Sequence, residues 1–209
     1  MKRRLLVVTD DHEAGGTYRL AERLAMGLSG DFSVHFGCNV AGLPDSSRSV
    51  LEGAGVSIHP CRVMPFQFLH ATFSTGYGLE LLRESRPDLI LFVDSHCIWS
   101  LLALKRAAKE RSIPFVTVIN SMPQEYLKLF RSAGNVGSAI TNIGIESADS
   151  AARLVLVSTA ALRVLEDEFP TLQAPRHVIV NGCEPARFLM AGAQARQDVR
   201  HGYVKEGAA

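Results

Sequence analysis

Seven short apolar segments recur along the chain, separated by stretches with helical spacing. Several are apolar at nearly every position, which is typical of a strand buried on both faces of a parallel sheet. Prolines and polar turns separate these segments from the helical stretches. The predicted strands are RLLVVTD, SVHFGC, VSIHPC, DLILFVD, PFVTVIN, RLVLVS and HVIV.

The stretches between the strands have apolar residues three and four positions apart, as amphipathic helices do. The first predicted helix carries its apolar stripe on Leu20, Ala21, Leu24, Ala25 and Leu28. We expect its charged residues on the opposite face: Arg19, Glu22 and Arg23. Two further helices are predicted over residues 98–111 and 161–169. The alternation predicts an α/β fold, a doubly wound, Rossmann-like parallel sheet with helices on both faces.

Three segments depart from this pattern. We expect residues 64–78 to form a loop or a loosely packed surface element, and residues 130–144, rich in glycine and small residues, could be mobile. The polar, alanine-rich tail does not continue the core pattern. The sequence therefore predicts one domain over residues 1–188, followed by a separate segment over residues 189–209.

Composition and charge exclude several classes of function. The 22 basic and 21 acidic residues nearly cancel, so no net field favours nucleic acid as a partner. The apolar run at residues 5–8 is too short for a secretory signal, and no stretch is long enough to span a membrane. The cysteines are too widely spaced for a zinc site or a disulfide framework, which favours a cytoplasmic protein: Cys38, Cys61, Cys97 and Cys183.

A glycine pair, Gly15 and Gly16, separates the first predicted strand from the first helix. Glycine lets backbone amides approach a ligand closely, and a helix beginning near Thr17 adds unpaired N–H groups suited to phosphate. The spacing matches neither GxGxxG nor GxxxxGK[ST], so a dinucleotide fold or a P-loop is not supported. A tight strand-to-helix turn with Thr17 near the cap is the alternative interpretation.

Three acidic residues precede the glycine pair: Asp10, Asp11 and Glu13. They would repel a phosphate unless compensated. They could cap backbone amides, face water or bind sugar hydroxyls. Asp10 is the best placed of the three because it ends the strand.

Two further stretches resemble a known family. LVLVSTAALRVLEDEF followed by RHVIVNGCEPARF resembles the end of the amino-terminal domain of GT-B-fold, retaining glycosyltransferases of the family 4-like, group 1 type. Asn181, Gly182 and Phe188 match that motif, Glu184 matches it as an acid in place of the usual Asp, and Cys183 replaces the usual Val. RPDLILFVDSH resembles the family's kPDvvhaH, and the early glycine pair also matches. The resemblance covers about residues 3–188 and implies one half of a GT-B fold.

The resemblance implies roles for particular residues. It assigns the donor's phosphates to Gly15, Gly16 and Thr17. The acceptor or sugar-binding candidates are Asp10, Asp94, His96, Asn120 and Ser158. Asn120 stands where the family often has a histidine, and an asparagine can bond a hydroxyl but does not titrate. No cofactor and no metal are implied, because the nucleotide-sugar is the donor substrate.

The resemblance also implies a sugar transferase of hexosyl type in carbohydrate biosynthesis. The family's nucleotide-sugar is held mainly by a carboxy-terminal donor domain, and residues 189–209 resemble the linker that leads into it. We therefore expect this chain to supply the acceptor side and to be inactive alone, its donor domain following in cis or coming from a partner chain. The acceptor is not identified.

Two other classes of function stay open. One is a non-catalytic sugar- or partner-binding module of the same fold, and the other is an unrelated doubly wound protein such as a flavodoxin-like domain. QEYLKLFRSAG could dock on a membrane surface or a partner domain, or be an ordinary, partly buried helix.

Overall fold

The computed structural model describes residues 2–11, 15–38, 45–60, 75–121 and 124–181. The chain divides into two compact units, Met1–Ile179 and Val180–Ala209. The first unit contains all the described strands and helices, and Val180 and Asn181 are the described part of the second. Several sequence expectations lie outside the described residues: those on Glu13, residues 64–74, Gly182, Cys183, Glu184, Phe188 and residues 189–209.

One parallel sheet organises the first unit. Its described strands are β1 (Arg4–Thr9), β2 (Ser33–Cys38), β3 (Ser57–Pro60), β4 (Leu89–Asp94), β5 (Phe115–Ile119), β6 (Arg153–Leu156) and β7 (Arg176–Val178). They lie in the order β3-β2-β1-β4-β5-β6-β7, and every neighbouring pair is parallel. The seven predicted strands and the doubly wound fold class are confirmed.

Helices connect the strands. The described helices are α1 (Gly16–Leu28), α2 (Asp45–Gly53), α3 (Thr75–Ser85), α4 (Leu102–Glu110), α5 (Gln124–Ser132), α6 (Gly134–Asp149) and α7 (Thr159–Glu168). A short 3-10 turn, Cys97–Trp99, lies between β4 and α4.

The core lies on both faces of the sheet. Leu5 and Val7 of β1 belong to one hydrophobic cluster, while Leu6 and Val8 belong to the other. All four side chains are buried, because successive side chains of a strand point to opposite faces and helices cover both. This double coverage explains why the strands read as continuous apolar runs.

The helix α1 departs from its predicted polar face at one position. Glu22 was expected to face solvent but is only 6% exposed, and its carboxylate accepts a bond from Arg19 Nη1 at 3.0 Å. Leu20 and Leu24 are partly buried instead. The helix packs its small residues and Tyr18 most closely on the sheet, so the buried stripe is rotated from the one that the leucines mark.

Two segments fold differently from their sequence expectation. The helix predicted over residues 98–111 is interrupted, because Cys97, which begins the 3-10 turn, and Leu101, which precedes α4, adopt left-handed backbone conformations (φ of 55° and 52°). Residues 75–78 were expected in an irregular surface segment but begin α3. Residues 130–144, rich in glycine and small residues, lie in α5 and α6, and close packing against Phe130 accounts for the glycine at position 137.

Replacing Gly137 by alanine should destabilise the protein by more than about 2 kcal/mol, measured by urea unfolding. A Cβ at this position would overlap the Phe130 carbonyl oxygen and lie 2.6 Å from its carbon, so backbone of α5 must move. Gly27→Ala is the matched control, because nothing lies within 4 Å of its Cβ position. That helical change should be neutral or stabilise by up to about 1 kcal/mol. Equal stabilities of the two variants would contradict the packing argument.

Candidate functional site

The sheet order reverses beside β1. The chain builds outward through β2 and β3 and then returns to place β4 on the other side of β1. In open α/β sheets the crevice beyond the carboxyl ends of the strands at such a point is the usual place for a ligand. Three candidates lie at this edge, on neighbouring strands: Asp10 after β1, Asp94 at the end of β4 and Asn120 after β5.

Asp10 and His96 form a hydrogen-bonded pair at this edge. Asp10 Oδ2 lies 2.8 Å from His96 Nδ1, and Asp10 Oδ1 accepts from the Ser95 backbone N–H at 2.9 Å and from Ser95 Oγ at 2.8 Å. The Asp10 side chain is 2% exposed and the His96 side chain is 12% exposed. The structure therefore brings together two candidates that are 86 positions apart in the sequence.

The electrostatics of the pair keep Asp10 ionised. Burial opposes ionisation, but hydrogen bonding and charge interaction with His96, together with bonds from Ser100 and Ser95, outweigh it and lower the pKa of Asp10. An ionised carboxylate only accepts hydrogen bonds, so Nδ1 of His96 carries a proton. In the neutral ring Nε2 is then the basic nitrogen, the arrangement in which a carboxylate fixes an imidazole tautomer.

The segment after β4 holds His96 in place. The His96 backbone N–H donates to Ser100 Oγ at 2.9 Å, and its carbonyl accepts from the Trp99 N–H at 3.2 Å. Ser121 Oγ donates to the Ser95 carbonyl at 2.5 Å. Cys97 and Leu101 hold left-handed conformations here that cost on the order of 1–3 kcal/mol each. Sequence reasoning missed Ser100 and Ser121, and the serine content at these strand ends was the available signal.

Asp94 has a different position from the one expected. It was predicted to face the cleft with His96, but it is fully buried and bonds to Lys105 Nζ of α4. In this structure its carboxylate has no exposed surface from which to contact a sugar. Burial is the main reason that the pKa of Asp94 is raised to about 7, with the Asp10 charge adding to it, while Lys105 and His96 act in the opposite direction.

A carboxylate lies against the amino terminus of α1, where donor phosphate was expected. Asp11 Oδ2 accepts from the Tyr18 backbone N–H at 3.0 Å and lies 3.1 Å from the position of a Cβ on Gly15. Capping, one of the alternatives for the acidic residues, is thus what Asp11 does. Gly15 is the N-cap, with a backbone any residue can adopt (φ −79°), and Gly16 begins the helix. An anionic ligand at this terminus has to replace the Asp11 carboxylate.

Asn120 and Thr17 form a second contact across the edge. Asn120 Nδ2 donates to Thr17 Oγ1 at 2.9 Å, and the Asn120 backbone N–H donates to the Asp94 carbonyl at 3.2 Å. This hydrogen bond therefore joins Thr17, which was predicted to bind the donor phosphates, to Asn120, which was predicted to bind the acceptor or sugar. Ser158 has another role: its Oγ caps α7 by accepting from the Ala161 N–H at 3.0 Å.

Metal ligation and membrane insertion both bear on the kind of site. Among the described residues, no group of three or more histidine, cysteine or acidic side chains is arranged to hold a metal ion. Within the same residues, every helix is too short or too polar to cross a bilayer.

Several solved structures share the architecture of this chain. HepE of Anabaena, solved with UDP and glucose, has a TM-score of 0.58 and 14% identity over 87% of this chain and 45% of its own. UGT2 of Phytolacca americana, solved with UDP-2fluoro-glucose and pterostilbene, gives 0.57 and 13% over 88% and 55%. A UDP-glucosyltransferase from Polygonum tinctorium gives 0.55 and 13% over 88% and 52%. The chain spans about half the length of these proteins.

Sheet order and these matches define the fold as the Rossmann-like amino-terminal half of the GT-B class. The model of Glycosyltransferase Family 4 matches residues 14–187. The chain belongs to that family, and the resemblance stated from its motifs is confirmed. Among curated protein sequences, none matches the chain.

Proposed function

We propose that this chain is the acceptor-side domain of a glycosyltransferase that moves a hexosyl group from a nucleotide-sugar to an acceptor hydroxyl. The observation that supports it most is the Asp10–His96 pair at the edge where the sheet order reverses, in a domain of a glycosyltransferase family. The proposal adds the substrate, the role in carbohydrate biosynthesis and the cytoplasmic location to the family assignment.

His96 orients the acceptor in this proposal. With Nδ1 bonded to Asp10, Nε2 is the ring nitrogen that accepts a hydrogen bond from the attacking hydroxyl. Sugar transfer needs that hydroxyl held in line with the anomeric carbon, and a fixed ring reduces the entropy lost in reaching this geometry. As the new bond forms, the hydroxyl becomes more acidic, and the imidazole stabilises the developing positive charge together with Asp10.

The donor's diphosphate occupies the amino terminus of α1 in this proposal. Unpaired helix N–H groups and the Gly15–Gly16 backbone suit its charge once the Asp11 carboxylate has turned away from Tyr18 N–H. Thr17, Asn120 and Ser158 are the remaining candidate contacts. Structures of similar proteins support this substrate class, since HepE was solved with UDP-glucose and UGT2 with UDP-2fluoro-glucose.

Activity requires a donor-binding domain in this proposal, supplied in cis or by a partner chain. Residues 1–209 alone should show no turnover above background with a panel of UDP-, GDP- and ADP-sugars and glycan or lipid-linked acceptors, measured by release of the nucleoside diphosphate. The same residues joined to a donor-binding domain of the family should be active. Robust turnover by residues 1–209 alone would contradict the need for a second domain. No turnover by the joined protein would count against the transferase.

The Asp11 cap favours a second candidate function, a non-catalytic module that binds a sugar or a partner. A carboxylate on the α1 terminus repels a diphosphate, and a chain that no longer binds a donor would tolerate it. Binding of the sugar panel without any diphosphate release by the joined protein would support this alternative.

A further inference from the structure

A buried ion pair next to the Asp10–His96 pair has no part in the function proposed above. Lys105 Nζ bonds to Asp94 Oδ2, and the two side chains are 1% and 0% exposed. Lys105 Nζ also lies 5.4 Å from the centroid of the Phe92 ring. Asp94 Oδ1 is buried and has no hydrogen-bond partner among the described residues.

Fold stability does not account for this pair. Removing two charges from water costs several kcal/mol per ion, and well-packed apolar residues of similar volume often do as well or better. The unsatisfied Asp94 Oδ1 adds a further cost. An ion pair with this desolvation cost, buried next to a candidate site, indicates that the charges of Lys105 and Asp94 act on the site.

The strand register places the two acids side by side. Thr9 of β1 pairs with Val93 of β4, so the next residues, Asp10 and Asp94, end neighbouring strands. Two buried carboxylates so placed repel each other, and without a cation one of them takes up a proton. Asp94 is the one whose protonation is favoured, since Asp10 has its own bonds from His96 and Ser95.

We infer that Lys105 is a positioning residue of this site: its buried ammonium favours the ionised form of Asp94 beside Asp10, and the two carboxylates together stabilise positive charge on the ring of His96. The inference deepens the proposed function and rests on it for its catalytic meaning. Lys105 touches neither His96 nor a substrate in this account. It acts through Asp94.

The charged groups that face Asp94 determine whether its ionisation favours or disfavours positive charge on the His96 ring. They are Lys105 from α4, Asp10 from the end of β1 and His96 from the turn, with the buried Cys97 thiol also within range. Charge interaction with His96 lowers the pKa of Asp94. The interaction is reciprocal, so an ionised Asp94 favours positive charge on the His96 ring.

Nuclear magnetic resonance of residues 1–209, without substrate, tests this inference. In the wild type the Asp94 carboxyl carbon should titrate near pH 7, where burial has raised its pKa. The His96 ring signals should change over the same pH range, because ionisation of Asp94 changes the field at the ring. In Lys105→Met the Asp94 step should move up by at least about one pH unit, and the change in the His96 signals that follows Asp94 should move up with it.

Lys109→Met is the matched control, since Lys109 lies on the same helix with its side chain 52% exposed and bonds to Glu146 at 3.0 Å. It should leave both titrations unchanged. If Lys105→Met does not fold, the double variant D94N/K105M replaces the pair by neutral groups of similar size and should remove the change in the His96 signals that follows ionisation of Asp94.

Unchanged Asp94 titration in Lys105→Met would overturn the inference, and so would identical changes of the His96 signals with pH in the wild type and the double variant. Wild-type His96 signals that do not respond to ionisation of Asp94 would overturn it too. Because no substrate is present, these results are separate from the outcome of the transfer assay.

Discussion

Replacing His96 by alanine should lower kcat/KM for sugar transfer by about 10²- to 10⁴-fold in a protein that includes a donor-binding domain. The variant removes the ring nitrogen that orients the acceptor hydroxyl and leaves the Asp10 carboxylate without its bond from Nδ1. Most of the loss should fall on kcat, because the interaction strengthens as the hydroxyl loses its proton. Initial rates of nucleoside diphosphate release over a range of acceptor concentrations measure it.

The matched control is His177→Ala. His177 lies on β7, is exposed and contacts Arg153 Nη1 at 2.6 Å, so its loss should leave kcat/KM within about twofold. Asp10→Asn should approach the His96→Ala rate, since an amide neither carries the charge nor fixes the Nδ1–H tautomer. If His96→Ala and His177→Ala have the same kcat/KM, His96 does not act on the acceptor.

The strands and the edge residues were predictable from the sequence for a physical reason. A strand covered on both faces must be apolar at successive positions, and the alternation of Leu5 and Val7 with Leu6 and Val8 between the two clusters shows it. Polar residues that end such runs must lie at the carboxyl edge of the sheet. Asp10, Asp94 and Asn120 were located by that rule.

The partners of these residues were not predictable in the same way. The Asp10–His96 bond depends on β1 and β4 being neighbours, which follows from the doubly wound strand order rather than from local spacing. The Asp11 cap on Tyr18 spans seven positions across the glycine pair, and no capping motif of fixed length describes it. The residue types at this edge of the sheet were therefore easier to predict than the hydrogen bonds that connect them.

Lys105 is a residue whose burial the hydrophobic periodicity of the sequence does not predict. A lysine in an amphipathic helix is expected on its solvent face, since long charged side chains are almost never fully buried unless paired. Its partner Asp94 lies eleven positions earlier, on a strand, and the intervening segment is bent by left-handed Cys97 and Leu101. No pattern in the sequence indicates that bend, so residues 98–111 read as one helix and the buried pair was missed.

The stability of the protein should fall relative to that of Asp94→Asn as the pH rises from 4 to 7, by a few kcal/mol. The pKa of Asp94 is 3.8 in the reference state and is raised to about 7 in the folded protein. Between these values the folded protein holds a proton that the unfolded chain has lost, so a rising pH favours unfolding. Each pH unit in this window corresponds to about 1.4 kcal/mol, which sets the upper size of the change.

Urea unfolding at pH 4, 5, 6 and 7 measures the difference between the two proteins. The comparison isolates Asp94 because other groups are shared. Burial and His59 lower the pKa of His35 from its ordinary value of 6.5. The stability that His35 contributes therefore rises with pH up to that value, which opposes the effect of Asp94. Asp10 contributes stability that is lost only as the pH falls through its lowered pKa. Parallel pH profiles of the wild type and Asp94→Asn would show that Asp94 does not hold a proton in the folded state.

The same measurement on Lys105→Met connects stability to the site. Without the ammonium, Asp94 should stay protonated beyond pH 7, so the decline in stability should continue to higher pH. The wild-type lysine therefore favours ionisation of Asp94 at neutral pH, while burial of its ammonium carries a desolvation cost. A charge retained despite this cost is expected to serve the chemistry at Asp10 and His96 rather than packing, because a neutral pair of the same size would avoid the cost altogether.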